Sequence, residues 1–92
     1  MSRYIATYDI TANDQRLRAS RVLERFGVRL QRSVFEVWLD TDELAELRRL
    51  VGPLLAVDDE FEIIPIDAAT NRSRWRWGDE GERFDSVNVL GR

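Results

Sequence analysis

The chain has 92 residues, enough for one domain, and its 43% hydrophobic and 34% charged residues are typical of a folded protein. It contains neither cysteine nor histidine, which excludes disulfides, thiolate chemistry and a histidine general base, so any bound metal would be a hard cation held by oxygen ligands, such as Mg²⁺ or Mn²⁺. The net charge of −3 argues against nucleic-acid binding, but residues 1–39 are basic and residues 40–66 are strongly acidic, so one face of the fold can be positive.

Residues 3–9, RYIATYD, predict a central strand because they are β-branched and aromatic. Thr11 and Asp14 form a capping-box-like helix start, with Asn13 as an alternative N-cap. The helix that follows carries an apolar stripe, and Gly27 is its expected stop. The members of the stripe are Ala19, Val22, Leu23 and Phe26.

Residues 28–39 have strand character again, as either one bent strand or two short strands. Asp40 and Glu43 predict the start of a second amphipathic helix, which Gly52-Pro53 closes. A strand over residues 61–66 completes a β-α-β(β)-α-β order. This order predicts an α+β, ferredoxin-like β-α-β-β-α-β sandwich in which both helices cover one face of the sheet.

We expect a single domain over residues 1–92, with a ferredoxin-like core at 3–66 and a C-terminal extension at 67–92. The extension has too little apolar surface to fold alone, so it should pack on the core or on a partner chain. Residues 84–90 predict a last strand. The segment 71–78, NRSRWRWG, favours an edge strand with tryptophans buried against another subunit, although stacking on nucleic-acid bases stays an alternative.

Asp9 is the main candidate for chemistry because it ends a buried strand ahead of a helix. One carboxylate holds Mg²⁺ poorly, but a two-fold dimer would supply a second copy. A metal shared in this way could replace the missing histidine by activating water. The structural alternative is that Asp9 forms an Asx turn or caps the helix.

Arg16 and Arg18 lie in the first turns of the predicted helix, where the helix dipole favours acidic side chains. They could bind phosphate together with the exposed N–H groups of the helix start. A solvated arginine edge is the structural alternative.

Several of these pieces together resemble a known family. The ordered motifs are Tyr8-Asp9-Ile10, Arg16-x-Arg18, Phe26-Gly27, the QRSVFE segment at 31–36, and Ile64-Pro65-Ile66. In this order and spacing, over residues 3–66, the sequence resembles the small CRISPR-associated proteins that partner the spacer integrase, the Cas-two family.

The short apolar runs and the lack of an apolar signal core at the N-terminus predict a cytoplasmic protein. The resemblance implies a ferredoxin-like homodimer in antiviral defence, in which the two Asp9 side chains share one Mg²⁺ or Mn²⁺ ion. It implies a metal-dependent endonuclease on RNA or double-stranded DNA, with Asp9 as the catalytic metal ligand and Arg16 and Arg18 on phosphate. Ser33 and Phe35 would line or support the nucleic-acid cleft. The dimer would also bridge integrase dimers during spacer acquisition, and its C-terminal strand would join the sheet of the partner.

Two alternatives stay open at this point. One is a scaffold that binds nucleic acid in the same complex without catalysis. The other is a toxin-type ribonuclease of a toxin–antitoxin pair with the same fold. The acidic overall balance is unfavourable for duplex binding, which depends on phosphate neutralisation, so we expect weak intrinsic affinity.

Overall fold

Within the described part of the chain, four strands and the two longer helices form in the order that the sequence predicts for its core, and a short third helix follows them. The computed structural model describes residues 1–73, so the predicted strand at 84–90 and both tryptophans of segment 71–78 lie outside the described residues. The elements are β1 (Ser2–Asp9), α1 (Asn13–Glu24), β2 (Gly27–Gln31), β3 (Val34–Leu39), α2 (Thr41–Val51), β4 (Glu60–Ile66) and α3 (Ala68–Ser73). A 3₁₀ turn at Gly52–Leu54 follows α2.

The strands form one antiparallel sheet in the order β2-β3-β1-β4. Because α1 connects β1 to β2 and α2 connects β3 to β4, this is the predicted ferredoxin-like α+β topology. Residues 28–39 are two strands rather than one bent strand, since Arg32 and Ser33 form a tight turn between β2 and β3.

Alternation along the strands gives the sheet two different faces. Ala6 and Tyr8 of β1 are buried among the core residues of α1 and α2, which places both helices on that face. The alternate residues of each strand, such as Thr7 of β1, face the opposite side of the sheet, which we call the open face. By register, the open face carries Arg3, Ile5, Thr7, Asp9, Val28, Val34, Glu36, Trp38, Glu60, Glu62, Ile64 and Ile66.

The core lies between the sheet and the two longer helices. Phe35 and Leu23 are fully buried, as is Leu47 of α2. Phe35 and Phe61 both stack on Tyr8, with ring centroids 6.4 and 6.2 Å away. This aromatic group fixes the carboxyl end of β1 and therefore the position of Asp9, the next residue.

The two helix starts differ from each other. Asp40 and Glu43 form the predicted capping box, because the Asp40 carboxylate accepts from the Glu43 N–H at 2.7 Å and Glu43 accepts in return at 3.0 Å. The cap predicted for α1 is wrong. Its N-cap is Ala12, which has no side-chain acceptor, so neither Thr11 nor Asn13 caps the helix.

Gly27 has a different role from the predicted helix stop. α1 already ends at Glu24 with Arg25 as its C-cap, and Gly27 is the first residue of β2. A Cβ atom at Gly27 would lie 1.9 Å from the backbone oxygen of Glu36. The glycine is therefore required by the close approach of β2 to β3.

The prediction of an edge strand at 71–78 is also wrong for its first three residues. Residues 71–73 belong to α3 and continue the helix that follows β4. Within residues 1–73, no helix is long and apolar enough to cross a bilayer.

Candidate nucleic-acid interface

A cleft opens at the carboxyl end of β1, between the start of α1 and the β2–β3 turn. Its volume is about 660 Å³, and we call it the β1 cleft. It is lined by Tyr8, Asp9, Ile10, Asn13, Arg16, Leu17, Ser20, Arg29, Arg32 and Ser33. Three arginines against one carboxylate make this lining positive, although the chain as a whole is acidic.

Asp9 lies at the rim of the β1 cleft and is exposed. Hydrogen bonds and ion pairs found across residues 1–73 do not involve its carboxylate. The α1 start has no side-chain cap either, so Asp9 neither caps the helix nor closes an Asx turn. Its two oxygens are therefore available to a ligand.

Arg16 lines the β1 cleft but uses part of its guanidinium on the β1–α1 loop. Its Nη1 donates to the Ile10 carbonyl at 2.9 Å and to the Thr11 carbonyl at 3.4 Å, and its Nη2 donates to Asn13 Oδ1. The Nε–H and one Nη2–H remain for a ligand. Arg16 thus holds the loop next to Asp9 in place, in addition to its predicted phosphate-binding role.

Arg18 is not part of the β1 cleft. It is exposed on α1, where Nη1 lies 3.5 Å from Gln15 Oε1. A phosphate contact by Arg18 would therefore require a strand that continues out of the cleft along α1.

Ser33 lies in the cleft, whereas Phe35 lies beneath it. Ser33 lines it directly, and its carbonyl accepts the Tyr8 N–H at 3.2 Å. Phe35 has 0% exposed surface, so in this chain it cannot contact nucleic acid. It supports the cleft from below, because the Arg29 guanidinium lies 4.8 Å from the centre of its ring.

The structure adds Arg29 and Arg32 to the candidates. Both come from β2 and its turn, far from Asp9 in sequence, and both line the same cleft. Arg29 donates to the Arg32 carbonyl and lies 3.7 Å from Glu24. Two sequence signals bear on them: the Arg-x-x-Arg spacing just before Ser33, and the place of Arg32 within the QRSVFE segment at 31–36. Neither by itself indicates that the two arginines share a site with Asp9.

The Tyr8 hydroxyl donates to the same Arg32 carbonyl at 3.3 Å. Burial raises the pKa of Tyr8 above its ordinary value, while the nearby Arg29 charge acts in the opposite direction. The phenol therefore stays protonated at neutral pH, and it ties the β2–β3 turn to the end of β1.

The available metal ligands of one chain are incomplete. The carboxylate oxygens of Asp9 are the ligand type that Mg²⁺ and Mn²⁺ prefer. However, no group of three potential metal ligands occurs among residues 1–73. Asp9 fits a hard cation chemically, and further ligands would have to come from a second chain, water or phosphate oxygens.

Comparisons with known proteins agree with the fold. A family model described as CRISPR associated protein Cas2 matches residues 1–74. The CRISPR-associated endoribonuclease Cas2 4 of Rhodospirillum rubrum is 35% identical over 75 residues, which are 80% of this chain and 60% of the relative. The chain thus spans less than two thirds of that relative's length.

Two solved structures show the same architecture. A hypothetical protein from Thermus thermophilus is 36% identical, with a TM-score of 0.69, and the match covers 72% of this chain and 82% of the other. A chain of a partial Cas6-RT-Cas1–Cas2 complex has a TM-score of 0.73 at 23% identity, covering 95% and 94%. At that identity the second likeness concerns the fold alone.

Proposed function

This chain belongs to the Cas2 family of CRISPR-associated proteins, and on that premise we propose that it is a divalent-metal-dependent endonuclease acting on RNA or double-stranded DNA. The observation that carries the proposal is the exposed, unengaged carboxylate of Asp9 at the rim of an arginine-lined cleft. The naming of the Rhodospirillum rubrum relative as an endoribonuclease supports it.

We propose that the chain acts as a homodimer joined through the open face. Val28 is 51% exposed and Ile64 is 42% exposed on that face, although both are apolar and belong to strands. Two copies packed through this face would bury these side chains, and a small domain gains stability from such burial. Asp9 lies on the same face by register, so a two-fold axis near the end of β1 would bring its two copies together.

Charge supports a cation at that place. Asp9 pairs with Glu60 in the sheet register, and Glu62 pairs with Thr7. Doubling this acidic end of the open face across a two-fold axis would place like charges together, which is unfavourable unless a cation lies between them. Asp9 of each subunit would hold the ion, with water and phosphate oxygens completing the coordination.

The roles of the remaining residues follow from their positions. When bound, Mg²⁺ would polarise the phosphodiester and lower the pKa of a water molecule. Arg16 and the uncapped α1 N-terminus would bind phosphate oxygens and orient the strand. Tyr8 keeps its proton, so it would act as a structural donor rather than as a base.

A part in spacer acquisition is the second half of the proposal. Membership of the Cas2 family supports an integrase subunit as a partner, and a chain with the same fold is part of a complex that contains Cas1 and Cas2. The homodimer would then be a scaffold that bridges integrase dimers and holds duplex DNA. Family membership favours this setting over a toxin–antitoxin pair.

A scaffold without catalysis is the second candidate function. It is favoured by one observation, the lack of a group of three potential metal ligands within residues 1–73 of a single chain. A metal site that needs ligands from two chains could be absent, and the arginine-lined cleft would still bind phosphate.

Replacement of Asp9 separates these candidates. We expect Asp9→Asn to lower the rate of Mg²⁺-dependent cleavage of RNA or duplex DNA by at least about a hundredfold, the scale of losing one preorganised electrostatic contact. The matched control is Asp42→Asn, which removes an exposed carboxylate from α2. The measurement is the cleavage rate of labelled substrate with and without EDTA.

Full cleavage by Asp9→Asn, or cleavage that persists in EDTA, would contradict the metal-dependent mechanism. If wild-type protein binds nucleic acid and supports spacer acquisition but never cleaves, the scaffold function is correct. Loss of cleavage with intact spacer acquisition would show that the two functions are separate.

A further inference from the structure

The three arginines of the β1 cleft are not equally available to a ligand. The Nη1 and Nη2 atoms of Arg16 donate hydrogen bonds to the β1–α1 loop, and only part of the donor capacity of Nη2 remains. Arg29 donates to the Arg32 carbonyl, lies 3.7 Å from Glu24 and covers the Phe35 ring. Both side chains therefore help to build the cleft.

Arg32 differs from them because its backbone is fixed while its side chain is not engaged. Its carbonyl accepts hydrogen bonds from the Tyr8 hydroxyl and from Arg29. By contrast, none of the hydrogen bonds, ion pairs or ring contacts found within residues 1–73 involves the Arg32 guanidinium. All five of its N–H donors are free in this part of the chain.

The strand geometry places this free guanidinium at the cleft. The register of β2 shifts between Arg29 and Gln31, so that Arg29 pairs with Phe35 while Gln31 pairs with Val34 of the open face. Such a bulge changes the direction of the residues that follow it. Arg32 is the next residue and lines the cleft together with Asp9 and Ser33.

We propose that Arg32 is a substrate-positioning residue that binds a phosphate of the nucleic-acid strand beside the one at Asp9. A planar guanidinium with free donors on a fixed turn is suited to two parallel hydrogen bonds with a phosphate. Little ordering of the backbone would accompany binding, because the turn is already tied to β1. The inference rests on the proposed function and adds a residue and a role to it.

The test compares Arg32→Gln with Arg49→Gln. Arg49 is an exposed arginine of α2 whose partner is Glu46, so both variants change the net charge equally. The probes are a short fluorescein-labelled RNA and the duplex DNA of the same sequence. The measurements are Kd by anisotropy at several salt concentrations, and KM and kcat for cleavage.

We expect Arg32→Gln to raise Kd and KM by about tenfold, the lower part of the range for losing one charge-assisted contact. The slope of log Kd against log salt concentration should decrease in magnitude by about 0.7 to 0.9, which is the contribution of one phosphate contact. The kcat should change little. Arg32→Lys should recover part of the affinity, because it restores the charge without the fork.

The Arg32 guanidinium makes no hydrogen bond, ion pair or ring contact with the other described residues, so Arg32→Gln should unfold at the same denaturant concentration as wild type. Equal changes in Kd for Arg32→Gln and Arg49→Gln would overturn the inference, because they would reflect net charge alone. An unchanged Kd and salt slope in Arg32→Gln, with Asp9→Asn still inactive, would overturn it and leave the proposed nuclease intact. A wild-type protein that neither binds nor cleaves either probe would overturn both.

Discussion

At the scale of single residues, Tyr8 connects the core to the β1 cleft. Its ring stacks with Phe35 and Phe61, and its hydroxyl donates to the Arg32 carbonyl. Burial raises the pKa of the phenol, which means that the folded state favours the protonated form. This contribution to the free energy of unfolding is therefore complete below about pH 10, the ordinary tyrosine pKa, and is lost as the pH rises through the higher pKa of the folded state.

We therefore expect Tyr8→Phe to change the alkaline pH dependence of stability. At pH 7 the variant should lose about 0.5–1.5 kcal/mol, the net value of one hydrogen bond. Above pH 10 wild type should lose stability more steeply than Tyr8→Phe, because the variant has no buried phenol to ionise. Urea unfolding at several pH values measures this, with Tyr4→Phe as the control. Parallel pH curves for wild type and Tyr8→Phe would contradict the assignment.

The candidate site was only partly predictable from the sequence, and the difference is physical. Asp9 and Arg16 are close along the chain, so a strand end followed by a helix start was enough to predict their proximity. Arg29 and Arg32 reach the same cleft only because β3 returns beside β1, and because a register shift in β2 precedes the turn. Local patterns contain neither of these facts.

At the scale of elements, the connections were harder to predict than the helices and strands. The spacing of apolar residues along the chain reflects which side chains become buried. This spacing was enough to predict the two longer helices and their order. Gly27 shows the limit of such patterns. A glycine after an apolar helical stripe indicates a helix stop, but here its cause is a β3 backbone oxygen that only the folded sheet brings near.

Gly27→Ala should destabilise the fold by at least about 2 kcal/mol, because a Cβ atom 1.9 Å from the Glu36 oxygen forces the two strands apart. For a domain of this size, that lowers Tm by roughly 8–16 °C. Gly52→Ala is the matched control. Gly52 has right-handed helical dihedrals, and a Cβ atom added there would meet no other atom within 4 Å, so alanine should be neutral or stabilising by up to about 1 kcal/mol. Equal Tm values for the two variants, measured by thermal circular dichroism, would show that β2 and β3 are less close than described.

At the scale of the whole molecule, the open face has a mixed character. Apolar side chains are exposed at both edge strands, whereas near the middle Arg3 Nε lies 3.1 Å from Glu36 Oε2 and the Arg3 guanidinium lies over Trp38. Glu36 is only 9% exposed, so this face already shields charge within one chain. Such a surface suits association with a second copy better than permanent contact with water.

The double variant Val28→Asp, Ile64→Asp should raise the dimer dissociation constant at least about tenfold, because each half-exposed side chain contributes roughly 1 kcal/mol when it becomes buried. Val57→Asp is the control, since Val57 is a fully exposed apolar residue outside the sheet. Sedimentation across a concentration series measures the association. If wild type stays monomeric at every concentration, or if Val57→Asp has the same effect, the open face is not the dimer interface.

The Asp59 carboxylate joins the two loops at one end of the sheet. Its Oδ1 accepts the Thr11 N–H at 3.2 Å, and its Oδ2 accepts the Ala56 N–H at 2.8 Å. A ligand that displaces the β1–α1 loop therefore pulls on the segment that leads into β4. We therefore expect a displacement at the mouth of the cleft to be transmitted through this carboxylate to β4, the edge strand that precedes α3.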